Sequence, residues 1–266
     1  LLTLVRPENY PLNQYFEQLK REQDPFHEGD LSREYGFFPQ FTPVARLPAA
    51  FAKVDQLANE FPALLENLGI CQRIKAMIAI TDAFPNDKAI NQLDRQELSR
   101  ACIIYGHIAH LWAFENQLQQ TEQPLPEHIM QSWQLISKRS GRPITGLSLI
   151  DYAYHNWQKI DHNGPVEVEN LQRLIPIAGE FDRVSYVAIA EIEMKAKTLV
   201  AEVLDMEEAI VDGDEAACIN CINAITRIIF QMCDAFLKIN HQRLNTNYVN
   251  QLAWYLLTGD MAAPFY

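Results

Sequence analysis

Apolar residues along this chain recur at the spacing of helices, and no stretch shows the every-other-residue alternation of a half-buried strand. Phe51, Val54, Leu57, Phe61 and Leu64 follow one another at intervals of three and four, which sets them on one face of a helix. Pro62 interrupts that run and predicts a kink or a break. A second helical segment is predicted over 71–83 behind Gly69, followed by a polar linker over 85–93. Asp94 and Glu97 have capping-box spacing, in which each side chain bonds the other's backbone N–H. The helix they open carries the stripe Leu98, Ala101, Ile104, Tyr105, Ile108, Leu111 and Trp112. Pro124 stops it, and Pro126 suits the first position of the next helix, which carries Ile129, Trp133 and Ile136 and ends at Gly141 and Pro143.

A third helix is predicted over 145–158 and a short one over 166–174. A long helix over 183–204 has Val187, Ile189, Ala190, Met194 and Leu199 on its buried side. Asp212-Gly213-Asp214 reads as a loop and a cap. Cys218, Ile222, Ile225, Ile229, Met232 and Phe236 form the cleanest stripe in the chain, and a last helix spans 247–257 and stops at Gly259. Before Pro48 the pattern fails, because Pro7, Pro11, Pro25, Pro39 and Pro43 break the chain repeatedly, with a short helix plausible over 12–22. The segment 34–41 reads as an aromatic turn, with Tyr35, Phe37, Phe38 and Phe41 lying against the body of the protein. The expected fold is all-α, with a small N-terminal helical domain within 1–93 and a large helical domain over 94–266 that is incomplete at its C-terminal end.

Composition narrows the function. A net charge of −12 excludes nucleic acid as a partner, since phosphate binding needs a basic field. Five cysteines, an odd number, all sit in apolar helical patterns, which predicts reduced thiols and a cytoplasmic protein. No uninterrupted run approaches the length of a membrane span, so no membrane association is expected, and Leu1 to Val5 is too short for a signal peptide. A chain opening on Leu1 is expected to lack its true start.

Candidate chemistry concentrates in 99–162, which holds Trp112, Trp133 and Trp157 and the histidines His107, His110, His128, His155 and His162. His107 and His110 lie three apart and point in similar directions. Two such histidines can share a metal, but the partner Glu-x-x-His motif of di-iron bundles is missing, so partly exposed structural histidines are expected. Cys218-x-x-Cys221 is half of a zinc site without its second pair, and Glu191 and Glu193, two apart, cannot share a helix face. No phosphate-binding loop and no nucleophile elbow is present. Spacing alone therefore gives an acidic helical protein with a candidate pocket around 145–157 and 183–190.

Several scattered motifs resemble those of the indoleamine 2,3-dioxygenase family of haem proteins. They are Glu34-Tyr35-Gly36-Phe37, the aliphatic-aromatic helix from Ser99, Leu125-Pro126, Lys138-Arg139-x-Gly141-Arg142-Pro143, Asn156-Trp157, Lys159-x-Asp161, Gly164-Pro165, Glu191-Ile192-Glu193 and Tyr255-Leu-Leu-Thr-Gly259. The resemblance implies haem b as cofactor, O2 bound at the distal haem face, and tryptophan or a related indole as substrate. It implies a distal pocket lined by Tyr152, Ala153, Ser185, Tyr186 and Trp254, with the proximal histidine expected downstream of Tyr266. Tryptophan-cleaving members hold the substrate carboxylate with an arginine where this chain has Trp254, and an indole cannot make that bidentate contact. The pocket positions matched by Tyr152 and Ala153 also differ from those members, which marks this chain as divergent. A related haem enzyme of the pyrrolnitrin pathway rearranges chlorotryptophan instead of cleaving it, so the fold does not fix the reaction. A non-catalytic haem- or ligand-binding protein, sensor or carrier, is the alternative; a purely structural interaction module is a third reading.

Overall fold

Helices make up every long element. The computed structural model describes residues 34–239 apart from Thr81, Asp82 and Pro143, so the helices anticipated over 12–22 and 247–257, and Trp254 with them, lie outside the described residues. In chain order the elements are α1 (Ala52–Glu66), α2 (Ile70–Ile78), the short α3 (Asp87–Ile90), α4 (Arg95–Gln119), α5 (Glu127–Arg139), a π-helical turn (Ile150–Tyr154), β1 (Trp157–Lys159), β2 (Leu171–Arg173), α6 (Gly179–Ala196), α7 (Leu199–Asp212) and α8 (Glu215–Leu237). Pro62 sits inside α1 without breaking it. The fold is mostly helical, as the periodicity anticipated.

The central element is α4. Its capping box is complete: Asp94 Oδ1 accepts from Glu97 N at 2.9 Å and Glu97 Oε2 accepts from Asp94 N at 2.9 Å. Every residue from Leu98 to Trp112 is buried, on all faces of the helix and not on one stripe alone. The main core packs α4 against residues of α1, α2 and α5, with Ile175 and Ile177 closing it from the loop before α6. The largest fully buried side chains include Tyr105, Phe51 and Phe61.

Two buried carboxylates tie the early helices to α4. Asp55 on α1 accepts from Arg100 Nε at 2.8 Å and from Leu47 N at 2.5 Å. Glu115 near the end of α4 accepts from Ile70 N at 2.7 Å and Cys71 N at 3.2 Å. Gly69, the N-cap of α2, has no side chain to offer, so Glu115 supplies the missing acceptor and places its charge at the positive end of that helix. The Cys71 thiol is pushed up to about 12, first by burial and then by Glu115 beside it, so it stays protonated and unreactive.

Three anticipated elements are corrected. The helix expected over 145–158 is only the π turn, after which β1 pairs antiparallel with β2 in the register Trp157↔Arg173, Gln158↔Gln172 and Lys159↔Leu171. Asn156 ends the helical path: its amide accepts from Ile175 N at 2.7 Å and donates to Ile175 O at 3.0 Å, so the side chain pairs with backbone as a strand would. The helix expected over 166–174 is a single 3-10 turn, Val168–Asn170, followed by β2. The long helix over 183–204 is two helices, α6 and α7, separated where the backbone of Gly36 approaches Lys197.

Of the stripe expected on α8, Cys218, Ile225 and Met232 are partly buried and the other three residues face outward. Cys221, Ile228 and Ala235 form the buried seam against α6 and α7, whereas Ile222, Ile229 and Phe236 are 52%, 48% and 58% exposed. Two apolar stripes lie side by side on this helix, and the one with smaller residues at two of its three positions allows close approach of its neighbours. Among the described residues α8 is also the one helix long and apolar enough to cross a membrane, by length and composition only, despite Asn220, Asn223 and Arg227 within it. The loop before it is as anticipated, with Gly213 at φ 68° and Asp214 capping α8 by accepting from Ala217 N at 2.9 Å.

Asp55 tests the joint between α1 and α4. Asp55→Ala strands the buried Arg100 guanidinium and the Leu47 N–H, and should cost about 3–5 kcal/mol of unfolding free energy. Denaturant titration of wild type and variant measures it; a loss below about 1 kcal/mol would mean that the pair behaves as an exposed one.

Candidate functional site

The π turn is held by one buried carboxylate. Asp151, fully buried, accepts from Arg142 Nη1 at 2.9 Å and from a second guanidinium nitrogen, from Ser148 N at 2.6 Å and from Ser148 Oγ at 3.0 Å. His155 N closes the wide turn on Ile150 O at 3.1 Å. Such π-helical insertions widen the backbone locally and recur at functional sites.

From this turn Tyr152 and Ala153 meet Tyr186 of α6 in a buried cluster, with Leu147 and Ile189 packed at its edge. The Tyr152 and Tyr186 rings stack with centroids 5.2 Å apart and planes 21° apart. Arg173 of β2 lies over the Tyr186 ring, its guanidinium carbon 4.6 Å from the centroid. On the side of α4, the His107 ring meets Tyr152 edge-on at 5.3 Å, and the Tyr152 hydroxyl lies 3.4 Å from His110 Nδ1. His110 in turn meets Trp133 of α5 edge-on at 6.2 Å.

The β-hairpin that carries Arg173 is fixed from α6. Arg183 donates to Val168 O at 2.7 Å and Leu171 O at 2.6 Å, and Glu191 accepts from Val168 N at 2.7 Å. Arg173, 6% exposed as a residue, pairs with Asp182, whose other oxygen accepts from Ile177 N at 3.0 Å.

The cluster is buried and close to neutral. His107 Nδ1 lies 2.6 Å from Ile103 O and must donate to it, which leaves the lone pair on Nε2. That Nε2 atom is buried and has no partner, and neither have Arg173 Nε and Nη2. Burial, reinforced by the Arg173 charge, holds His107 well below the usual imidazole range, so it is neutral. Burial also raises the Tyr152 hydroxyl far above its usual range and pushes Tyr186 up to about 12. Neither tyrosine ionises near neutral pH. The cluster thus holds two stacked aromatic rings, one unpartnered imidazole nitrogen and a guanidinium with two unpartnered nitrogens.

Of the residues anticipated for the pocket, Tyr152, Ala153 and Tyr186 come together, and Ser185 is buried beside them in sequence on α6. His107, His110 and Arg173 join the cluster without having been assigned to it. The two histidines are not partly exposed, as their neighbours in sequence implied, but 0% and 4% exposed. Glu191 binds backbone and Lys238, at 2.9 Å, and so supports the hairpin and the end of α8. Cys218 and Cys221 are free thiols, and among the described residues no group of three or more His, Cys, Asp or Glu could hold a metal.

The sequence profile of the family described as Indoleamine 2,3-dioxygenase matches residues 26–264. The chain belongs to this family. It is 22% identical over 199 residues to the mouse protein Indoleamine 2,3-dioxygenase 1, a match that covers 74% of this chain and 47% of that protein. The chain therefore matches about half the length of this curated relative. Within this indoleamine 2,3-dioxygenase family member, the matched region includes every element that builds the Tyr152–Tyr186 chamber.

The neutral histidines set a pH dependence. His107 lies well below the usual imidazole range and His155 is pushed down to about 4, chiefly by burial, whereas both titrate near 6.5 once unfolded. The unfolded chain then binds more protons, so stability is full above pH 6.5 and falls as the pH drops below it, by up to about 1.4 kcal/mol per pH unit per histidine. Denaturation midpoints between pH 7 and pH 5, in wild type and in His107→Gln, should show a steep wild-type slope and a shallower variant slope. Equal slopes would mean that His107 is not buried neutral.

Proposed function

We propose that this protein is a haem-dependent oxygenase of tryptophan or a related indole, and that the Tyr152–Tyr186 chamber forms part of the wall of its haem and substrate pocket. The observation that carries the reading is a buried aromatic cluster with unpartnered polar atoms in a chain of the indoleamine 2,3-dioxygenase family. The residues fit the role. Stacked rings at 5.2 Å offer a planar apolar face, and the orphaned His107 Nε2 is the kind of buried acceptor that a bound group satisfies.

When bound, haem b would supply the activation of O2. The chain's own groups would do the rest. Tyr152, Ala153 and Tyr186 would exclude water and present flat faces to an indole, and Ser185 would lie close by on the same helix. The hydroxyl of Tyr152, 3.4 Å from His110 Nδ1, would hold its proton at a fixed place on the wall. Burial, reinforced by the Arg173 guanidinium, would keep the neighbouring imidazole neutral and therefore able to accept. Cytoplasmic placement belongs to the same reading, supported by five cysteines that are all free.

A haem- or ligand-binding protein without catalysis is the second reading, and Trp254 at the position where tryptophan-cleaving relatives have an arginine favours it. With no arginine there, free L-tryptophan should bind weakly, because its carboxylate loses water without gaining a partner.

Titrating the protein with haemin should yield a sharp Soret band at one equivalent; a protein that takes up no haemin would refute the haem reading. On the haem-loaded protein, indole should perturb that band at lower concentration than L-tryptophan, and Trp254→Arg should reverse the order by about tenfold, the worth of one charge-assisted contact. Oxygen-dependent product from any indole separates the oxygenase from the carrier.

A further inference from the structure

The Asp55–Arg100 pair that joins α1 to α4 lines a cleft of about 590 Å³. The other walls are the strand-like stretch before α1, which carries Arg46, one face of α1 with Gln56 and Asn59, and the β-hairpin with Gln158. We propose that this cleft binds a small polyhydroxylated anion, a sugar phosphate or a sugar acid.

The walls are built before any ligand arrives. Asp55 accepts from Leu47 N at 2.5 Å and from Arg100 Nε at 2.8 Å, and Arg100 Nη1 donates to Val44 O at 3.4 Å. The backbone is thereby tied down on both sides of Arg46, and the Leu47 side chain is buried. Arg46 itself is exposed and, among the described residues, makes no hydrogen bond or ion pair. Gln56 and Asn59 lie one turn apart on α1 and so point the same way. Gln158 is placed by the hairpin, in register with Gln172, and Arg183 holds that hairpin at Leu171 O.

The functional groups of the lining define the ligand. Asp55 is the one acidic residue among the described lining residues, and Arg100 neutralises it, so Arg46 leaves the cleft positive in a chain whose net charge is −12. A guanidinium fork matches the paired oxygens of a phosphate or a carboxylate. The three carboxamides of Gln56, Asn59 and Gln158 each carry two N–H donors and an acceptor oxygen. Among the described residues their side chains make one bond, from Asn59 to Asp55 O at 3.3 Å. Hydroxyl groups both donate and accept, and so complement such amides. No aromatic ring lines the cleft among the described residues, which gives an indole no face to stack on. The volume of about 590 Å³ is that of a small-molecule site, with room for a hexose and bridging waters. The cleft shares no residue with the Tyr152–Tyr186 cluster, and the proposal stands apart from haem and from the oxygenase reading.

Calorimetric titration of the full 266-residue chain with glucose 6-phosphate, gluconate and glucose tests it. The wild type should bind at least one of the two anions saturably and about tenfold more tightly than glucose, the worth of one charge-assisted bond. Which anion binds better tells phosphate from carboxylate. Arg46→Gln should erase that preference and leave glucose unmoved. Gln56→Ala and Gln158→Ala should each weaken anion and glucose alike, by about two- to tenfold, the range of one neutral hydrogen bond. Lys88→Gln removes the same charge from an exposed position on α3 outside the cleft, and should change nothing. Arg46 and Gln56 are exposed, so their variants should melt as the wild type does. Gln158→Glu, which keeps the size of the side chain and repels the anion, covers the case in which Gln158→Ala does not fold. A wild type that binds neither anion saturably, or an Arg46→Gln loss no larger than that of Lys88→Gln, would overturn the proposal. Affinities unmoved by the Gln56 and Gln158 variants would overturn its polyhydroxyl part.

Discussion

Because α4 is surrounded by protein on all sides, none of its polar groups can rely on water. Arg100, His107, His110 and Glu115 all lie in that interior, and the fold is arranged to meet them. Arg100 is met by Asp55 and Glu115 by the open amides of α2. These bonds add little net stability when made and cost several kcal/mol when broken, so they act chiefly as a specification of which surfaces may meet. The register of α1 and α2 on α4 follows from them. So does the orientation of α4, which sends His107 and His110 toward the π turn. His107 is met on one nitrogen only, and the Tyr105 hydroxyl is also left without a partner.

The same rule organises the smaller core. The hairpin β1–β2 is too short to be stable alone. Arg183 and Glu191, both from α6, bond its backbone at Val168 and Leu171, and Asn156 bonds the chain at Ile175. Arg173 is thereby delivered over the Tyr186 ring. The π turn stands between two such braces, the Asp151–Arg142 pair on one side and the stacked tyrosines on the other.

Much of the helical frame was legible in sequence because it rests on local signals. The Asp94/Glu97 box, the Gly213 stop and the Asp214 cap are encoded within four residues of where they act. What misled were the places where long-range partners override local ones. The apolar spacing over 145–158 is compatible with a helix, but Asn156 finds its partner at Ile175 and Trp157 pairs with Arg173, contacts that no window of that length contains. The histidines read as partly exposed because Gly106 adjoins His107 and no partner metal motif draws them inward, and only the burial of α4 on every side places them inside. The expectation that Tyr152, Ala153 and Tyr186 belong together came from family likeness, and the three do pack in one cluster. Arg173 carried no signal at all, since its position was assigned to a helix and its importance comes from the ring it covers.

The exposed row on α8 bears on how this molecule behaves among copies of itself. Ile222, Ile229, Phe230 and Phe236 of α8, and Ile210 and Val211 of α7, are all exposed apolar side chains. Short-range attraction between such side chains on different copies competes with the long-range repulsion of a −12 charge. At low ionic strength the repulsion extends about 30 Å and keeps the copies apart; at 1 M salt it shrinks to about 3 Å, less than a side chain. The acidity of the chain is then more than a compositional trait: it is the colloidal guard over a sticky helix.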